Sequence, residues 1–178
     1  MTKQQIGIGI ESTAHTFGVS IIDSNGNIMS DVKDVYKAPK GSGIHPREAS
    51  RHHSAIANEV IHSALNDAKI KYSDIDFVAY SAGPGIGPCL RVGATAARAL
   101  SLKLNKPLIP VNHAIGHIEL GCLLTGANDP VNLLVSGGHT MINAFNSGKW
   151  RAFGETLDLT IGQLVDQIGR YAGYSSPA

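Results

Sequence analysis

The feature of this chain that most constrains its fold is an arrangement of strands that occurs twice. Isoleucine alternates with small residues from Ile6 to Ile10, which is typical of a strand with one buried face. An Asn-Gly pair at Asn25 marks a hairpin turn after the second predicted strand. The first predicted strands cover residues 6–11, 17–23 and 28–36, and the second group covers 131–136, 141–145 and 150–155. Each group is followed by a predicted helix, so the chain is expected to form two similar α/β lobes that repeat in elements and not in residues.

The segment between the two groups completes the first predicted lobe. It contains predicted helices over 46–69 and 94–104, predicted strands over 75–81 and 107–111, and a helix that follows Val111. After the second group only one helix is predicted, over 157–171. We therefore expect a complete first lobe over residues 1–129 and the beginning of a second lobe over 130–178. Such a partial lobe would leave an unpaired strand, so the sequence predicts the front part of a longer, two-lobed protein.

The composition limits the class of protein. Hydrophobic residues make up 43% of the 178 residues, enough for a buried core, and the net charge of +1 gives no overall basic field for nucleic acid. RNA would have to bind through local patches or through partner proteins. The amino terminus is polar and no apolar run approaches about 20 residues, so neither a signal peptide nor a membrane helix is predicted. The two cysteines, Cys89 and Cys122, suit small core positions in a reducing cytoplasm.

Two histidines near the middle of the chain are the main candidates for a metal site. His113 and His117 are four residues apart, so on a helix they share one face and can bind the same ion. A catalytic metal usually has three protein ligands. His139 is a candidate for the third, although it could instead contact a phosphate or support its own turn. A histidine pair at this spacing can equally be solvent-exposed or cap the helix, and the spacing alone leaves these alternatives open.

Two turns occupy equivalent places in the repeated strand pattern. The first runs from Glu11 to Thr16, and the second runs from Ser136 to Thr140. In two lobes these turns would face each other across a cleft, where backbone N–H groups and hydroxyls can hold phosphate oxygens. The candidate contacts to phosphate or magnesium are Glu11, Ser12, Thr13 and His139, with Glu11 reaching magnesium through water. Either turn could also do no more than reverse the chain.

Weaker candidates lie elsewhere. The segment from Ser81 to Gly85 closes a predicted strand, where open α/β sheets bind ligands, but it is equally compatible with a structural turn. Asp158 and Asp166 are spaced to share a face of the last predicted helix, where one of them could reach a ribose hydroxyl. Several basic residues lie on predicted helices and form either a solvated surface or a local RNA patch: Arg47, Arg51, His52, His53, Arg91 and Arg98.

Six motifs occur in one order along the chain and together resemble a known family. They are Glu11-Ser12-Thr13, Gly43-Ile44-His45-Pro46-Arg47-Glu48-Ala49-Ser50, the run from Ser81 to Gly93, Asn112-His113-Ala114-Ile115-Gly116-His117, Val135-Ser136-Gly137-Gly138-His139-Thr140 and Gly154-Glu155-Thr156-Leu157-Asp158. Over almost the whole chain they are similar to the catalytic subunits of tRNA N6-threonylcarbamoyladenosine transferase, a family once described as O-sialoglycoprotein endopeptidases. Each motif alone is weak, and the shared order makes the resemblance specific.

The resemblance implies a fold and an activity. The fold would be α/β, of the actin-like and Hsp70-like ATPase type (ribonuclease H-like), which agrees with the repeated strands. The activity would be transfer of the threonylcarbamoyl group from threonylcarbamoyl-AMP to N6 of adenosine 37 in tRNAs that read ANN codons. The transfer would be assisted by one divalent metal, iron or zinc, and magnesium would accompany the nucleotide. This chain alone would be inactive, because the family's second lobe extends beyond the residue that matches Ala178.

The resemblance also implies roles for particular residues. His113 and His117 match the family's two metal-binding histidines, whereas the family's third metal ligand is an aspartate that lies beyond this chain. Asp166 matches a further nucleotide contact in the final helix. The turn that binds the adenylate in the family matches Leu134, Val135, Ser136, Gly137 and Gly138.

The loop Gly43-Ile44-His45-Pro46-Arg47-Glu48 resembles the archaeal and eukaryotic branch of the family. Relatives of that branch work in the KEOPS complex with a small atypical protein kinase and small accessory subunits. They often carry Tyr at the position of Leu134 and Asn at the position of His139. A tyrosine contact to the metal is therefore not expected in this protein, and its second turn resembles the bacterial form.

Three alternatives belong to other classes of protein. A non-catalytic actin-like paralogue that serves as a scaffold in the same complex would have no use for His113 and His117. A zinc metallopeptidase would need Glu after the first histidine, where this chain has Ala114. A sugar or acetate kinase would need a carboxylate base over a hydroxyl in the first lobe, and the sequence offers no clear candidate for it.

Overall fold

The computed structural model describes residues 4–39 and 43–174 of the chain. Their Cα positions form two compact units, and the boundary between the units follows His113. Unit 1 contains residues 4–38 and 43–113, and unit 2 contains residues 114–174 together with Pro39. The boundary expected from the sequence, between residues 129 and 130, lies one helix later in the chain.

Unit 1 is built on a mixed five-stranded sheet. Its strands are β1 (Ile6–Glu11), β2 (Thr16–Asp23), β3 (Ile28–Val35), β4 (Phe77–Gly83) and β5 (Leu108–Asn112), and their order in the sheet is β3-β2-β1-β4-β5. Strands β1, β2 and β3 form the predicted antiparallel meander, whereas β1, β4 and β5 are parallel neighbours. The carboxyl ends of the three parallel strands therefore lie side by side at one end of the sheet.

Two helices cover the sheet of unit 1 and close its core. Helix α1 (Pro46–Asp67) packs against β2 and β3, helix α2 (Gly87–Leu104) packs against β1, β4 and β5, and the two helices contact each other. The strands place alternate residues against these helices, as in β2, where Phe17, Val19 and Ile21 are all fully buried. Each large apolar side chain buried in this way stabilises the fold by about 1.5–3 kcal/mol.

Helix α3 (His113–Thr125) follows β5 directly and runs into unit 2. The remainder of unit 2 is a three-stranded antiparallel sheet of β6 (Asn132–Val135), β7 (Thr140–Asn146) and β8 (Lys149–Glu155), followed by helix α4 (Ile161–Tyr171). A meander followed by a helix thus occurs in both units. The order of elements predicted from the sequence is confirmed.

Two helices begin at residues other than those predicted. Helix α2 begins at Gly87 and not at Ala94, because Pro88 in its first turn needs no partner for a backbone N–H and already has a helical φ. Helix α4 begins at Ile161 and not at residue 157, because the Thr160 hydroxyl caps it by accepting a hydrogen bond from the N–H of Gln163. Asp158 therefore precedes the helix, and the prediction that it shares a helix face with Asp166 is wrong.

The described helices are short or polar. Helix α1 is the longest, with 22 residues, but it is rich in charged and polar side chains. Within the part of the chain that the structure describes, no helix combines the length and apolar character that crossing a bilayer requires.

Candidate functional site

The loop between β1 and β2 lies against the beginning of α2. Ser12 is buried, and its hydroxyl donates a hydrogen bond to the carbonyl of Cys89 at 3.0 Å. The carbonyl of Thr13 accepts a hydrogen bond from the N–H of Ile86 at 2.7 Å. The approach is so close that a Cβ built on Gly93 would lie 2.2 Å from Ser12 Oγ. The loop is therefore fixed on this side by two hydrogen bonds and by direct packing on a glycine.

The same loop is also held by α1 and by the residue that follows β3. The carbonyl of Ala14 accepts a hydrogen bond from His53 Nε2 at 2.9 Å, and the carbonyl of His15 accepts one from the N–H of Tyr36 at 2.8 Å. His53 is fully buried. It therefore does not belong to the basic helix surface to which the sequence assigned it, and its role in holding the loop was not predicted.

Glu11 occupies the end of β1 and accepts hydrogen bonds from three other residues. Its Oε1 accepts from the N–H of Thr13 at 2.6 Å. Its Oε2 accepts from Ser81 Oγ of β4 and from His113 Nδ1 at 3.1 Å. The side chains of Glu11 and His113 are 36% and 21% exposed, so the contact is partly shielded from water. Glu11 ends β1, Ser81 lies near the end of β4, and His113 directly follows β5. The three residues therefore meet at the carboxyl end of adjacent parallel strands.

These contacts determine the charge of Glu11. Burial raises its pKa, but the hydrogen bonds from His113, Ser81 and Thr13 together outweigh burial and lower the pKa from 4.5 to about 2. Glu11 is therefore an ionised carboxylate at neutral pH. An ionised carboxylate only accepts hydrogen bonds, so in its contact with His113 Nδ1 it can act only as the acceptor.

Helix α3 carries both candidate metal ligands. His113 is its first residue, and His117 lies one turn later on the same face and is exposed. Metal-binding histidines commonly donate their second ring N–H to a carboxylate, so the contact with Glu11 fits the role of a metal ligand for His113. Within residues 4–39 and 43–174, no group of three or more His, Cys, Asp and Glu side chains is placed to hold a metal ion. The two histidines thus fit part of a coordination sphere that needs a further ligand.

The second predicted turn, from Ser136 to Thr140, is closed by hydrogen bonds within itself. Ser136 Oγ accepts from the N–H groups of Gly138 at 3.2 Å and His139 at 2.9 Å. The N–H of Ser136 donates to the carbonyl of His139 at 2.7 Å. A Cβ built on Gly137 or Gly138 would meet nothing within 4 Å, so the outer surface of the turn is accessible to a ligand.

The beginning of α4 packs against this turn. Thr160 Oγ1 donates to the carbonyl of Gly137 at 3.2 Å, and the N–H of Ile161 donates to Thr140 Oγ1 at 2.9 Å. A Cβ built on Gly162 would lie 2.5 Å from the carbonyl atoms of Ser136. The positive end of the α4 dipole is therefore adjacent to the turn to which the sequence assigned nucleotide binding.

Within unit 2, His117 and Leu134 line the same shallow depression. It has a volume of about 120 Å³ and lies between α3 and β6, and its lining residues are His117, Ile118, Gly121, Asn132, Leu133 and Leu134. The structure thus brings a candidate metal ligand next to the strand that leads into the second turn. Of the other candidates, Val135 is exposed on β6 and Asp166 is half-buried on α4.

The remaining basic candidates lie on the surface of unit 1. Arg47, Arg51, Arg91 and Arg98 are exposed on α1 and α2, and Arg51 lies 3.6 Å from Glu48. Such an exposed pair contributes little to stability.

Both cysteines are free thiols, with Cys89 buried and Cys122 half-buried.

Two solved structures show which fold this is. YeaZ from Pseudomonas aeruginosa superposes with a TM-score of 0.58 at 15% identity, covering 85% of this chain and 66% of that chain. The ethanolamine utilization protein EutJ from Carboxydothermus hydrogenoformans gives a TM-score of 0.55 at 16% identity, covering 94% of this chain and 57% of that chain. At these identities the likeness shows the fold alone. The fold is that of the actin-like ATPases, as predicted.

Sequence comparison identifies the family. The family model described as tRNA N6-adenosine threonylcarbamoyltransferase matches residues 27–178. The protein of that name from Caldivirga maquilingensis is 51% identical over 170 residues, which are 96% of this chain and 51% of that protein. The one from Hyperthermus butylicus is 53% identical over 171 residues, which are 96% of this chain and 47% of that protein. The chain spans about half the length of the curated relatives it matches. On the extent of these matches, the chain belongs to the tRNA N6-adenosine threonylcarbamoyltransferase family.

Proposed function

We propose that the intact protein transfers the threonylcarbamoyl group of threonylcarbamoyl-AMP to N6 of adenosine 37 in tRNAs that read ANN codons. Membership of the family supports this proposal, because relatives named for the transfer share about half of the residues of this chain. The structural observation that carries it is the hydrogen bond from His113 Nδ1 to Glu11, which is typical of a metal-ligating histidine.

The chemistry of the substrate determines what the protein must supply. Threonylcarbamoyl-AMP is a mixed anhydride and is already activated, so a strong protein nucleophile is not needed. The protein has to hold the carbamoyl carbon beside the N6 amine and to stabilise charge on the carbonyl oxygen. We assign the adenylate phosphate to the turn from Ser136 to Gly138, next to the amino terminus of α4, because backbone N–H groups and a helix dipole favour an anion there.

His113 and His117 are the proposed ligands of one divalent metal, iron or zinc. A metal held there would supply a Lewis acid for the carbonyl oxygen. We also propose that magnesium accompanies the nucleotide. Glu11 would contact such an ion through water, because both of its oxygens already accept hydrogen bonds from the protein.

The proposed partners follow from the substrate and from the resemblance of the Gly43–Glu48 segment. They are tRNA, a small atypical protein kinase and small accessory subunits of the KEOPS type. We propose the cytoplasm as the compartment, because Cys89 and Cys122 are free thiols and a tRNA substrate is available there.

The proposal is tested by measuring transfer with the intact protein and its accessory subunits. Threonylcarbamoyl-AMP is supplied with a tRNA that contains adenosine 37, and the same tRNA with guanosine at that position is the substrate control. The double variant His113→Ala/His117→Ala is compared with His62→Ala, which alters an exposed histidine of α1. We expect the double variant to lose bound metal and to transfer on the order of 100-fold more slowly or worse, because a Lewis acid supplies several kcal/mol.

The outcomes separate the alternatives. Transfer by the double variant at the rate of His62→Ala would overturn the assigned metal role. An intact protein that transfers nothing and binds no metal, although the complex assembles with it, would favour the scaffold alternative.

A further inference from the structure

We propose that Glu11 and Ser81 are positioning residues that hold the His113 ring with its Nδ1 protonated and thereby set the affinity of the α3 histidines for a divalent metal ion. The inference rests on the proposed function only in taking His113 and His117 as metal ligands. It adds a role for a carboxylate and a hydroxyl that are not themselves proposed as ligands of the metal held by the α3 histidines.

The first step is that the carboxylate of Glu11 is held in one orientation. Its Oε1 accepts from the N–H of Thr13 at 2.6 Å, and its Oε2 accepts from Ser81 Oγ and from His113 Nδ1. The Thr13 backbone is itself held, because its carbonyl accepts a hydrogen bond from the N–H of Ile86 at 2.7 Å. A carboxylate with both oxygens engaged loses the freedom to rotate away from His113.

The second step concerns the backbone register that brings these residues together. Strands β1 and β4 are parallel with Ile10 opposite Tyr80, so the next residues along each strand, Glu11 and Ser81, are also neighbours. Strands β4 and β5 are parallel with Ser81 opposite Val111, and His113 begins the helix that directly follows β5. Two adjacent strands thus supply the carboxylate and the hydroxyl, and the residue that follows the third strand supplies the imidazole.

The third step is the choice of ring nitrogen. A carboxylate offers only acceptors, so its contact with Nδ1 at 3.1 Å favours the neutral imidazole with a proton on Nδ1. In that tautomer Nε2 carries the lone pair that binds a metal. The ring would otherwise be distributed between two tautomers, and only one of them could coordinate through Nε2. Selecting the coordinating tautomer from that mixture costs free energy when the metal binds. If Glu11 already fixes this tautomer, that free energy is not lost on binding and the metal affinity is higher.

A purely structural role for the pair makes a different prediction. If Glu11 and Ser81 only join β1 to β4, removing either one lowers the stability of the folded protein but leaves the metal affinity of the folded molecules unchanged. If they position His113, the metal affinity falls even where folding is intact. Metal affinity therefore distinguishes the two roles, and it is measured without tRNA or threonylcarbamoyl-AMP.

The experiment uses the intact protein freed of metal and titrated with Zn²⁺ and, for its visible spectrum, Co²⁺. We expect Glu11→Gln to weaken Zn²⁺ binding by about 10–100-fold, the range found for carboxylates that orient metal-binding histidines. Ser81→Ala is expected to weaken it less but in the same direction, and Ser81→Thr, which keeps the hydroxyl, is expected to restore it. The matched control is Ser20→Ala, which removes another serine–carboxylate hydrogen bond of the same sheet, from Ser20 to Asp31 at 2.7 Å.

A second measurement reads the tautomer directly. Long-range nitrogen–proton NMR spectra of the metal-free protein, with labelled histidine, are expected to show His113 protonated on Nδ1 and to show a mixture in Glu11→Gln. If Glu11→Gln does not fold, the Ser81 variants and the wild-type spectrum decide the question.

Each remaining outcome would overturn the proposal. Zn²⁺ affinities of Glu11→Gln and Ser81→Ala within twofold of the wild type would do so, as would a wild-type His113 protonated on Nε2 alone, or an intact protein that binds no divalent metal. Absence of threonylcarbamoyl transfer, together with the expected loss of metal affinity, would instead reject the proposed function and leave the positioning role in place.

Discussion

His53 Nε2 donates a hydrogen bond to the carbonyl of Ala14 at 2.9 Å, so a fully buried histidine of α1 holds the loop that follows Glu11. The ring lies beside Phe17, with the two ring centroids 5.7 Å apart. Its other nitrogen, Nδ1, is buried and has no hydrogen-bond partner among the residues that the structure describes. The environment of His53 therefore suits a neutral imidazole that donates one hydrogen bond.

Replacing this histidine should destabilise unit 1. His53→Leu leaves the half-buried Ala14 carbonyl without the donor of its hydrogen bond, and the loss of a donor to a shielded acceptor costs about 1–3 kcal/mol. The free energy of unfolding is measured with urea. The matched control is His52→Leu, which removes the half-exposed partner of Asp34 at 2.9 Å and is expected to cost less than about 1 kcal/mol. Equal losses in the two variants would contradict the assigned role of His53.

Because His53 is titratable and buried, we expect the stability of the folded protein to depend on pH. Burial lowers the pKa of His53 below its usual 6.5, and the neighbouring His52 and His15 lower it further, whereas the hydrogen bond to Ala14 and the charge of Glu11 act in the opposite direction. The folded protein therefore binds a proton less readily than the unfolded chain. The stabilisation is complete above about pH 6.5 and is lost as the pH falls from there toward the lower pKa of the folded state.

This dependence is isolated by comparing the wild type with His53→Gln, which can still donate a hydrogen bond but does not titrate. Unfolding free energies are measured between about pH 7.5 and about pH 5.5, and the wild type is expected to lose more stability on acidification than the variant. Parallel curves for the two proteins would show that His53 titrates alike in the folded and unfolded states.

The packing of Gly93 against Ser12 predicts an overpacking defect. In Gly93→Ala the new Cβ would lie 2.2 Å from Ser12 Oγ, and Ser12 cannot swing away without losing its hydrogen bond to Cys89. We expect a loss of about 1–3 kcal/mol in unfolding free energy. Gly87→Ala, on the same helix, meets nothing within 4 Å and should be nearly neutral. Adding Ser12→Ala to Gly93→Ala should recover part of the loss, since the nearest atom is then gone.

A related substitution tests the second turn. In Gly162→Ala the new Cβ would lie 2.5 Å from backbone atoms of Ser136, so either the turn or the start of α4 must shift. We therefore expect weaker binding of a fluorescent adenylate analogue, measured by titration. The control Gly87→Ala lies on α2, outside the second turn, with nothing within 4 Å of its Cβ, and helix propensity favours it by up to about 1 kcal/mol. Unchanged adenylate binding in Gly162→Ala would remove the turn from the proposed nucleotide site.

Much of the fold was predictable because local signals agreed with it. The alternating isoleucines Ile8 and Ile10 are buried on the sheet face that α1 and α2 cover, so the alternation predicted the strand. His113 and His117 lie on one helix, so their four-residue spacing places them on the same face, as expected. The helix starts were predicted less well. Gly87 and Pro88 are typical of loops, yet Pro88 occupies the first turn of α2, and Thr160 was included in a helix that it caps.

The site was predicted only in part, because its contacts join distant residues. Glu11 and Ser81 are 70 residues apart and Glu11 and His113 are 102 apart, and no local pattern records which strands pair. The sequence therefore singled out Glu11 and His113 separately, without their contact. The role of Ser81 follows only from the register of β1 and β4, and the role of His53 follows only from the packing of α1 on the loop.

The order of strands in the first sheet has a consequence for how the protein is made. Glu11 is synthesised early, whereas Ser81 lies in β4 and His113 follows β5. The contact between the carboxylate and the imidazole can therefore form only after more than half of this chain has been translated. During synthesis the meander of β1, β2 and β3 can form first, with an unpaired edge at β1. Pairing of β4 with that edge then brings Ser81 to Glu11, and the addition of β5 brings His113 to the same carboxylate.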